Sequence, residues 1–225
     1  MRGLRPRVTN GPMSYGHDPF MGRGDPRRHA PAADRNLEPI WQVLARWLPA
    51  TGTVVEIASG TGQHVAGFAA RAPGLTWQPT DPDAPMRASI DAHVRAAGLA
   101  NVRGARDLDV TEPFAGWPIA ACDAMLAVNL LHIAPWVATQ GLFGGGGRLL
   151  PENGPLVIYG PFKRGGVHTA TSNAQFDAML KSQDDNRAIR DLDDVAAAAR
   201  EHGLDLAEVN AMPANNLAVV FRRRP

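Results

Sequence analysis

The feature that most constrains the fold is a regular alternation of short apolar runs with helical patterns after residue 52. The runs typical of buried strands are TVVEIA, LTWQPTD, NVRGARDLD, CDAMLAVN and PLVIYG, and helical patterns separate most of them. Strands that alternate with helices indicate a doubly wound, mostly parallel α/β sheet, because parallel neighbours need a crossover connection. The final strands, DLAEVN and LAVVFRR, are joined only by AMPANN, which predicts an antiparallel hairpin.

The segment before this alternation has a different composition. Residues 1–30 are rich in glycine, proline and arginine and lack periodicity, which predicts a flexible arm that can cover an active site. The folded domain is expected over residues 31–225, beginning with a helix in DRNLEPIWQVLARWLP. Residues 1–35 carry seven arginines against three aspartates, but the formal net charge of the whole chain is only +1. A nucleic acid is therefore not the expected partner.

Cysteine usage and hydropathy indicate the compartment. Cys122 is the single cysteine, which excludes an internal disulfide and fits a reducing environment. No apolar run approaches the roughly 18–20 residues of a membrane span, and the N-terminus has no apolar secretory segment. We expect a cytoplasmic protein with no membrane partner, and the sequence leaves monomer and homodimer open.

A glycine-bearing turn follows the first strand, in VVEIASGTGQH. Gly60 and Gly62 allow the backbone to approach a ligand closely, and the amides of the following helix suit an anionic group. Glu56 stands near the end of the strand, where an acid can meet an ammonium. The third glycine of G-x-G-x-x-G is absent, as are the Walker and G-x-S-x-G motifs, which disfavours dinucleotide, P-loop and hydrolase sites. A tight turn without a ligand is the alternative.

Polar residues also follow the other predicted strands, at the edge where an open α/β sheet binds its ligand. Asp81 comes 21 positions after Gly60, a distance typical of an acid that binds a ribose diol. Asp109, or less favourably Asp107, can accept a hydrogen bond from an adenine amino group. Asn129 can contact the amino-acid or sugar part of a ligand. Helix capping or turn formation is the alternative for each acid.

Candidate catalytic residues follow the fourth and fifth predicted strands. His132, in NLLH, can act as a general base because the usual pKa of histidine lies near neutrality. The glycine-bearing segment YGPFKRGGVHTATSN is typical of a lid, and its polar candidates are Tyr159, His168, Ser172 and Asn173. Ordinary packing, loop or capping roles are the alternative for these residues.

Several segments together resemble a known family. Taken in order, they are PAADRNLEPIW, EIASGTGQH, WQPTDPD, NLLHIAPW, YGPFKRGG followed by SN, RDLDDV and MPANNL. They resemble the methyltransferase-like 26 family, within the class I S-adenosylmethionine-dependent methyltransferases. The match covers about residues 31–224, which is most of the chain.

The resemblance implies a Rossmann-like class I methyltransferase sheet of seven strands, in the order 3-2-1-4-5-7-6 with strand 7 antiparallel. It also implies S-adenosylmethionine as the cofactor and S-adenosylhomocysteine as the product. The cofactor-binding residues assigned on this basis are Arg35, Asn36, Glu56, Ala58, Ser59, Gly60, Gly62, His64, Asp81, Asp109 and Asn129.

The expected reaction is methyl transfer to an oxygen or nitrogen nucleophile of a small molecule. His132, His168 and Tyr159 are the catalytic candidates, and Tyr159, His168, Asn173 and Asn215 are the candidates for substrate binding. No metal is expected, because paired carboxylates do not follow the fourth strand. Two alternatives stay open: a scaffold that binds the cofactor without turnover, and a methyltransferase that acts on a protein or a nucleic acid.

Two positions depart from the pattern of the class. Ala58 replaces the usual first glycine of the turn, and alanine suits this position if its φ is negative. The run GLFGGGGRLL places four consecutive glycines where a helix should continue. Because each glycine costs a helix about 1 kcal/mol relative to alanine, we predict a broken or locally mobile helix over residues 142–149.

Overall fold

The computed structural model describes residues 24–225. The strands of its main sheet are β1 (Gly52–Ile57), β2 (Leu75–Pro79), β3 (Ala124–Val128), β4 (Pro155–Gly160), β7 (Leu204–Met212) and β8 (Asn216–Arg223), while β5 (Lys163–Arg164) and β6 (Val167–His168) form a separate hairpin. The sheet order is β2-β1-β3-β4-β8-β7. The first four strands are parallel, and β8 is antiparallel to both of its neighbours. The predicted doubly wound class and the terminal hairpin are confirmed.

Helices cover both faces of the sheet. They are α1 (Pro31–Trp47), α2 (Gln63–Arg71), α3 (Ala84–Ala96), α4 (Leu130–Ile133), α5 (Trp136–Leu149), α6 (Thr171–Gln183) and α7 (Leu192–Glu201). Neighbouring strand residues point to opposite faces, so Val54 packs with α1, α2 and α3 while Val55 packs with α5 and α7. No helix between residues 24 and 225 is long and apolar enough to cross a bilayer.

The predicted third strand, NVRGARDLD, is wrong as a regular strand. It makes only isolated parallel bridges, from Val102 to Trp77 on β2 and from Arg106 to Thr80 just after β2. Between these bridges, side chains take the backbone groups that a ladder would use. The Gln78 amide donates to the Gly104 carbonyl (3.0 Å), and the Asp91 carboxylate accepts from the Ala105 amide (2.9 Å). The sheet therefore has six strands instead of seven, and the order of these six is as predicted.

The predicted break over residues 142–149 is also wrong, because α5 runs without interruption to Leu149. The glycines make room for close packing. A Cβ on Gly141 would overlap the Val110 carbonyl, one on Gly145 would overlap the Trp117 ring, and one on Gly147 would overlap the His202 carbonyl. Close contact with these groups offsets the low helix propensity of glycine.

The start of the described chain lies against the folded domain. Of the predicted arm over residues 1–30, positions 1–23 lie outside the described residues. From residue 24 onward, the Arg28 amide donates to the Ser89 hydroxyl on α3 (2.8 Å), and the Ala30 amide donates to the Gln63 side chain on α2 (2.6 Å). These bonds hold the entry to α1 beside the turn that follows β1.

Candidate functional site

A cavity of about 800 Å³ lies at the carboxyl ends of β1 and β3. The chain leaves β1 toward β2 on one side and later returns to β3 on the other side, so the sheet order switches direction at this point. Such a switch point is where open α/β sheets form their ligand sites. The walls come from the start of α1, the turn after β1, the residues after β3, the helix α6 and the turn between β7 and β8.

Eleven of the sixteen residues assigned above to cofactor binding, substrate binding or catalysis line this cavity, and so does Ser172, which was named above as a polar candidate. They come from elements that are far apart in the chain, which the sheet topology brings together. The cavity-lining residues among those predicted are Arg35, Asn36, Glu56, Ala58, Ser59, Gly60, His64, Asn129, His132, Asn173 and Asn215.

Five other predicted residues do not line the cavity. Gly62 directly precedes α2, with φ 90°, and packs against Ile90. Asp81 hydrogen bonds to the turn after β1 through the Gly60 amide and does not face the cavity. The Asp109 carboxylate accepts from the amide and hydroxyl of Thr111 (2.9 and 2.7 Å), which makes it a turn residue in this structure. Tyr159 is buried in the core cluster that α1 covers, and His168 contacts the Asp177 carboxylate (3.3 Å).

The turn after β1 has an unusual backbone. Ala58 has φ 52°, so the condition under which alanine suits this position, a negative φ, is not met. This conformation costs an L-residue roughly 1–2 kcal/mol. Hydrogen bonds to the end of β2 fix it: the Ser59 amide donates to the Thr80 carbonyl (2.8 Å), and the Thr80 amide donates to the Glu56 carbonyl (2.9 Å). Gly60, with φ 57°, has open space where a Cβ would lie.

Asp81 fixes the same turn from below. Its carboxylate accepts from the Gly60 amide and from the Asp83 amide, each at 2.9 Å. The side chain is nearly buried, and burial raises its pKa to about 6, although these two amide bonds oppose the rise. Asp81 therefore shapes the turn even though it does not line the cavity.

Glu56 is a buried acid without a complete set of partners. The residue is 1% exposed, and no group between residues 24 and 225 hydrogen bonds to its Oε2. Burial, together with the nearby charge of Asp81, raises its pKa to about 8. A cationic group bound in the cavity would supply both the missing hydrogen bond and the missing charge.

His64 is a second incompletely satisfied group at the cavity. It lies at the start of α2, stacked parallel to the Phe68 ring at a centroid distance of 5.6 Å. Its Nε2 is buried, and no partner for it lies within the described part of the chain. Burial lowers its pKa to about 4, so the ring is neutral near pH 7.

His132 lies on α4, just after β3. Asn129 begins this helix in the left-handed conformation (φ 59°). The imidazole meets the Phe176 ring edge-on at 5.5 Å, and Gly160 allows its close approach, since a Cβ there would lie 3.2 Å from Nδ1. Burial, and secondly the charge of Arg190, lower the His132 pKa to about 4. The ring is therefore neutral at pH 7 and can accept a proton.

The two ends of the cavity differ in charge. Among the described residues that line it, Arg35 on α1 is the only one with a formal charge at pH 7, and Glu56 on β1, whose pKa of about 8 keeps it mostly protonated there, is the only acid. The residues that line the cavity beside His132 are apolar or neutral, including Ile133, Pro161 and Phe176, and Arg190 acts on His132 from outside the lining. Sequence reasoning missed Phe176, because it predicted a lid over residues 159–173 and no helix α6 there. It also missed Asn216, which it assigned to the connection between the last two strands without a role.

The comparisons with known proteins agree with this architecture. The family described as "Protein of unknown function (DUF938)" matches residues 27–223. An O-methyltransferase family protein from Burkholderia thailandensis superposes with a TM-score of 0.72 at 19% identity, over 86% of this chain and 57% of that one. A methyltransferase of calicheamicin biosynthesis, in its SAH-bound form, gives a TM-score of 0.66 at 20% identity, over 85% and 54%.

A third similar structure is an O-methyltransferase family 2 protein from Planctomyces limnophilus in complex with apigenin. Its TM-score is 0.68 at 14% identity, over 88% of this chain and 64% of that one. The chain thus spans less than two thirds of the length of each of these structures. At such identities the likeness shows a shared fold, that of the Rossmann-like methyltransferases.

Proposed function

The chain belongs to the family described as protein of unknown function (DUF938), and from that premise we propose that it is an S-adenosylmethionine-dependent methyltransferase. The proposed acceptor is an oxygen or nitrogen nucleophile of a small molecule. The observation that carries the proposal is the buried Glu56 side chain, whose Oε2 has no hydrogen-bond partner among residues 24–225, beside an open glycine turn and in the same cavity as a neutral His132. The resemblance to the methyltransferase-like 26 family stays a prediction within this proposal.

The residues around the turn fit the amino-acid end of the cofactor. Glu56 would accept from the ammonium group, which satisfies its orphaned oxygen. Gly60 leaves the backbone open to the ligand, and His64 offers a ring nitrogen that has no other described partner. The positions of Arg35, Asn36, Ala58, Ser59 and Asn129 on the cavity wall support cofactor contacts for them as well.

Three of the residues predicted to bind the cofactor do not line the cavity, so the proposal gives them indirect or conditional roles. Asp81 and Gly62 act through the turn that they shape, and the ribose contact of Asp81 stays a prediction. Asp109 has its carboxylate engaged by Thr111, so a contact with adenine requires this local turn to open.

S-adenosylmethionine, when bound, would supply a methyl carbon that an aligned nucleophile attacks while the bond to the cationic sulfur breaks and neutral S-adenosylhomocysteine leaves. His132 takes the proton that an acceptor hydroxyl or amine loses as it forms the new bond to carbon. A carboxylate or phenolate acceptor needs no base. Phe176, Ile133 and Pro161 keep water from the reacting groups and hold the acceptor in line. Neither Tyr159 nor His168 lines the cavity, so the proposal gives catalysis to His132 alone.

The cavity wall beside His132 consists of apolar and neutral side chains, which favours a small acceptor with no net charge. The nearby polar groups are the amides of Asn173, Asn215 and Asn216 and the hydroxyl of Ser172. Asn173 and Asn215 are held by hydrogen bonds: the Asn173 side chain donates to the Asn215 carbonyl (3.0 Å) and the Asn215 side chain donates to the Ser172 hydroxyl (3.3 Å). The complex of the Planctomyces relative with the small molecule apigenin adds support.

Two assays test the proposed function. In a thermal-shift assay, S-adenosylhomocysteine should stabilise the protein and NAD should not, and a ligand at 100 times its Kd contributes about 2.7 kcal/mol. Transfer from radiolabelled S-adenosylmethionine to a panel of uncharged hydroxyl and amine metabolites, with EDTA present, then tests turnover and the expected absence of a metal. No shift with S-adenosylhomocysteine would contradict the proposal, and binding without transfer to any acceptor would favour the scaffold alternative.

A further inference from the structure

The helix that carries His132 cannot hold itself in place. α4 has only four residues, and isolated helical segments of that length are not stable. Its last carbonyls have no partners in a following helical turn, because the chain leaves α4 through Ala134 and Pro135 in an extended conformation. An outside donor is therefore needed to fix this turn and the imidazole that it carries.

Arg190 is that donor. Its Nε donates to the Leu131 carbonyl (3.0 Å), and its Nη2 donates to the Ala134 carbonyl (2.8 Å). These two carbonyls flank His132 along the chain, so one planar guanidinium bridges both sides of the residue. The positive charge at the carboxyl end of the turn also interacts favourably with the helix dipole.

Arg190 is itself fixed by a buried acid. The Asp177 carboxylate is almost fully buried, and it accepts from the Ile189 amide at 2.7 Å, directly before Arg190. The same carboxylate pairs with Lys163 (3.2 Å) and Lys181 (2.9 Å). The Arg190 carbonyl accepts from the Lys163 amide (2.9 Å), which ties the segment to β5.

We propose that Arg190 is a positioning residue for His132. Through the carbonyls of Leu131 and Ala134 it sets the position and tilt of the imidazole relative to Phe176 and the acceptor. It does so without contacting the cofactor or the acceptor. Asp177 sets the place of Arg190 in turn. The inference rests on the proposed role of His132 as a base.

Charge gives Arg190 a second effect on the same ring. Its positive charge disfavours the imidazolium and so lowers the pKa of His132, next to the larger effect of burial. A variant that loses the positive charge therefore raises the pKa of the His132 ring. A variant that keeps the charge and loses only the two hydrogen bonds to the carbonyls does not. Arg190→Lys and Arg190→Gln separate the two effects, since lysine keeps the charge but one Nζ cannot reproduce the planar bridge between two carbonyls.

The kinetic test compares these variants with Arg46→Lys, a matched control on α1, where Arg46 also donates to a backbone carbonyl, that of Gln42. We expect about a 100-fold loss of kcat in Arg190→Gln and a smaller loss in Arg190→Lys. The KM for S-adenosylmethionine and the Kd for S-adenosylhomocysteine should stay within about twofold of wild type in both. An unchanged kcat in Arg190→Gln would overturn the inference. A loss of kcat accompanied by an equally large weakening of cofactor binding would overturn it as well.

A second readout does not depend on turnover. The chain has seven histidines, and the signal of His132 in a ¹³C-histidine NMR spectrum is identified by its disappearance in His132→Gln. We expect the His132 signal to move in both Arg190 variants and to titrate at a higher pH only in Arg190→Gln. A wild-type signal and titration in Arg190→Gln would refute the positioning role. If the proposed methyl transfer fails while these shifts occur, the fault lies with the proposed function and not with the geometry.

Discussion

Burial gives Glu56 a pKa of about 8, against an ordinary value of 4.5. Between these two pH values the folded protein holds a proton that the unfolded chain has lost, so the free energy of unfolding falls as the pH rises through this window. We expect Glu56→Gln to lose this part of the pH dependence, because glutamine does not titrate. Urea unfolding at half-unit steps from pH 5 to pH 8 measures the effect. Glu38→Gln, at an exposed acid on α1, should keep the wild-type slope, and equal slopes in all three proteins would contradict the account.

The backbone at Ala58 makes a separate prediction. An alanine with φ 52° is strained, and glycine relieves that strain. Ala58→Gly should therefore stabilise the protein by about 1 kcal/mol, measured by urea unfolding. Ala197→Gly, at an exposed position within α7, should destabilise it by about 1 kcal/mol. The same sign for both changes would show that the turn is not strained as described.

At the scale of secondary structure, the α5 glycines differ from one another. A Cβ on Gly141 would overlap the Val110 carbonyl, whereas a Cβ on Gly144 would make ordinary contact with His202 at 3.7 Å. Gly141→Ala should cost about 1–3 kcal/mol through overpacking. Gly144→Ala should raise the free energy of unfolding by up to about 1 kcal/mol, because alanine has the higher helix propensity. The melting temperatures of the two variants, compared with that of the wild type, test this difference. Stabilisation by both substitutions would contradict close packing of α5 at Gly141.

These elements also show how far the sequence could predict the structure. Local patterns predicted three features: the alternation of apolar runs with helical patterns predicted the doubly wound sheet, the short AMPANN connection predicted the terminal hairpin, and the closely spaced glycines predicted the turn after β1. The break in α5 and the third strand were wrong for a different reason. The packing partners of Gly141 and Gly145, and the side chains of Gln78 and Asp91, come from residues that no local pattern associates with them.

The same limit applies to the candidate site. The sequence could predict that polar residues at the ends of several strands lie together, because strand ends meet at one edge of a parallel sheet, and their roles stay predictions. Arg190 begins the RDLDDV segment of the resemblance, but nothing in that segment indicated its role, since its partners are the carbonyls of a turn about 60 residues earlier (separations of 59 and 56). The sequence predicted Tyr159 and His168 as polar residues of a lid over the site. Tyr159 instead lies in the core, and His168 pairs with Asp177.

At the scale of the whole molecule, the cavity depends on the complete fold. Its walls come from α1, the strand ends of the sheet, α6 and the β7–β8 turn, so no single segment can form it. The entry to α1 is bound to the same structure, because the Gln63 side chain links the Ala30 amide, the Thr61 hydroxyl (3.0 Å) and the Asp34 carboxylate (2.6 Å). A ligand that contacts both α1 and the turn should therefore raise the stability of the entire domain.

The measurement that tests the central claim most directly is calorimetric titration of S-adenosylhomocysteine into wild type, Glu56→Gln and Glu38→Gln at pH 7. Because the pKa of Glu56 is about 8 without ligand, most of the protein is protonated there at pH 7 and must lose that proton to meet the ligand ammonium. We predict release of close to one proton per ligand, shown by comparing buffers with different ionisation enthalpies, in wild type and Glu38→Gln. Glu56→Gln should bind at least about 30-fold more weakly and release no proton. Wild-type affinity in Glu56→Gln, or no binding to wild type, would contradict the account.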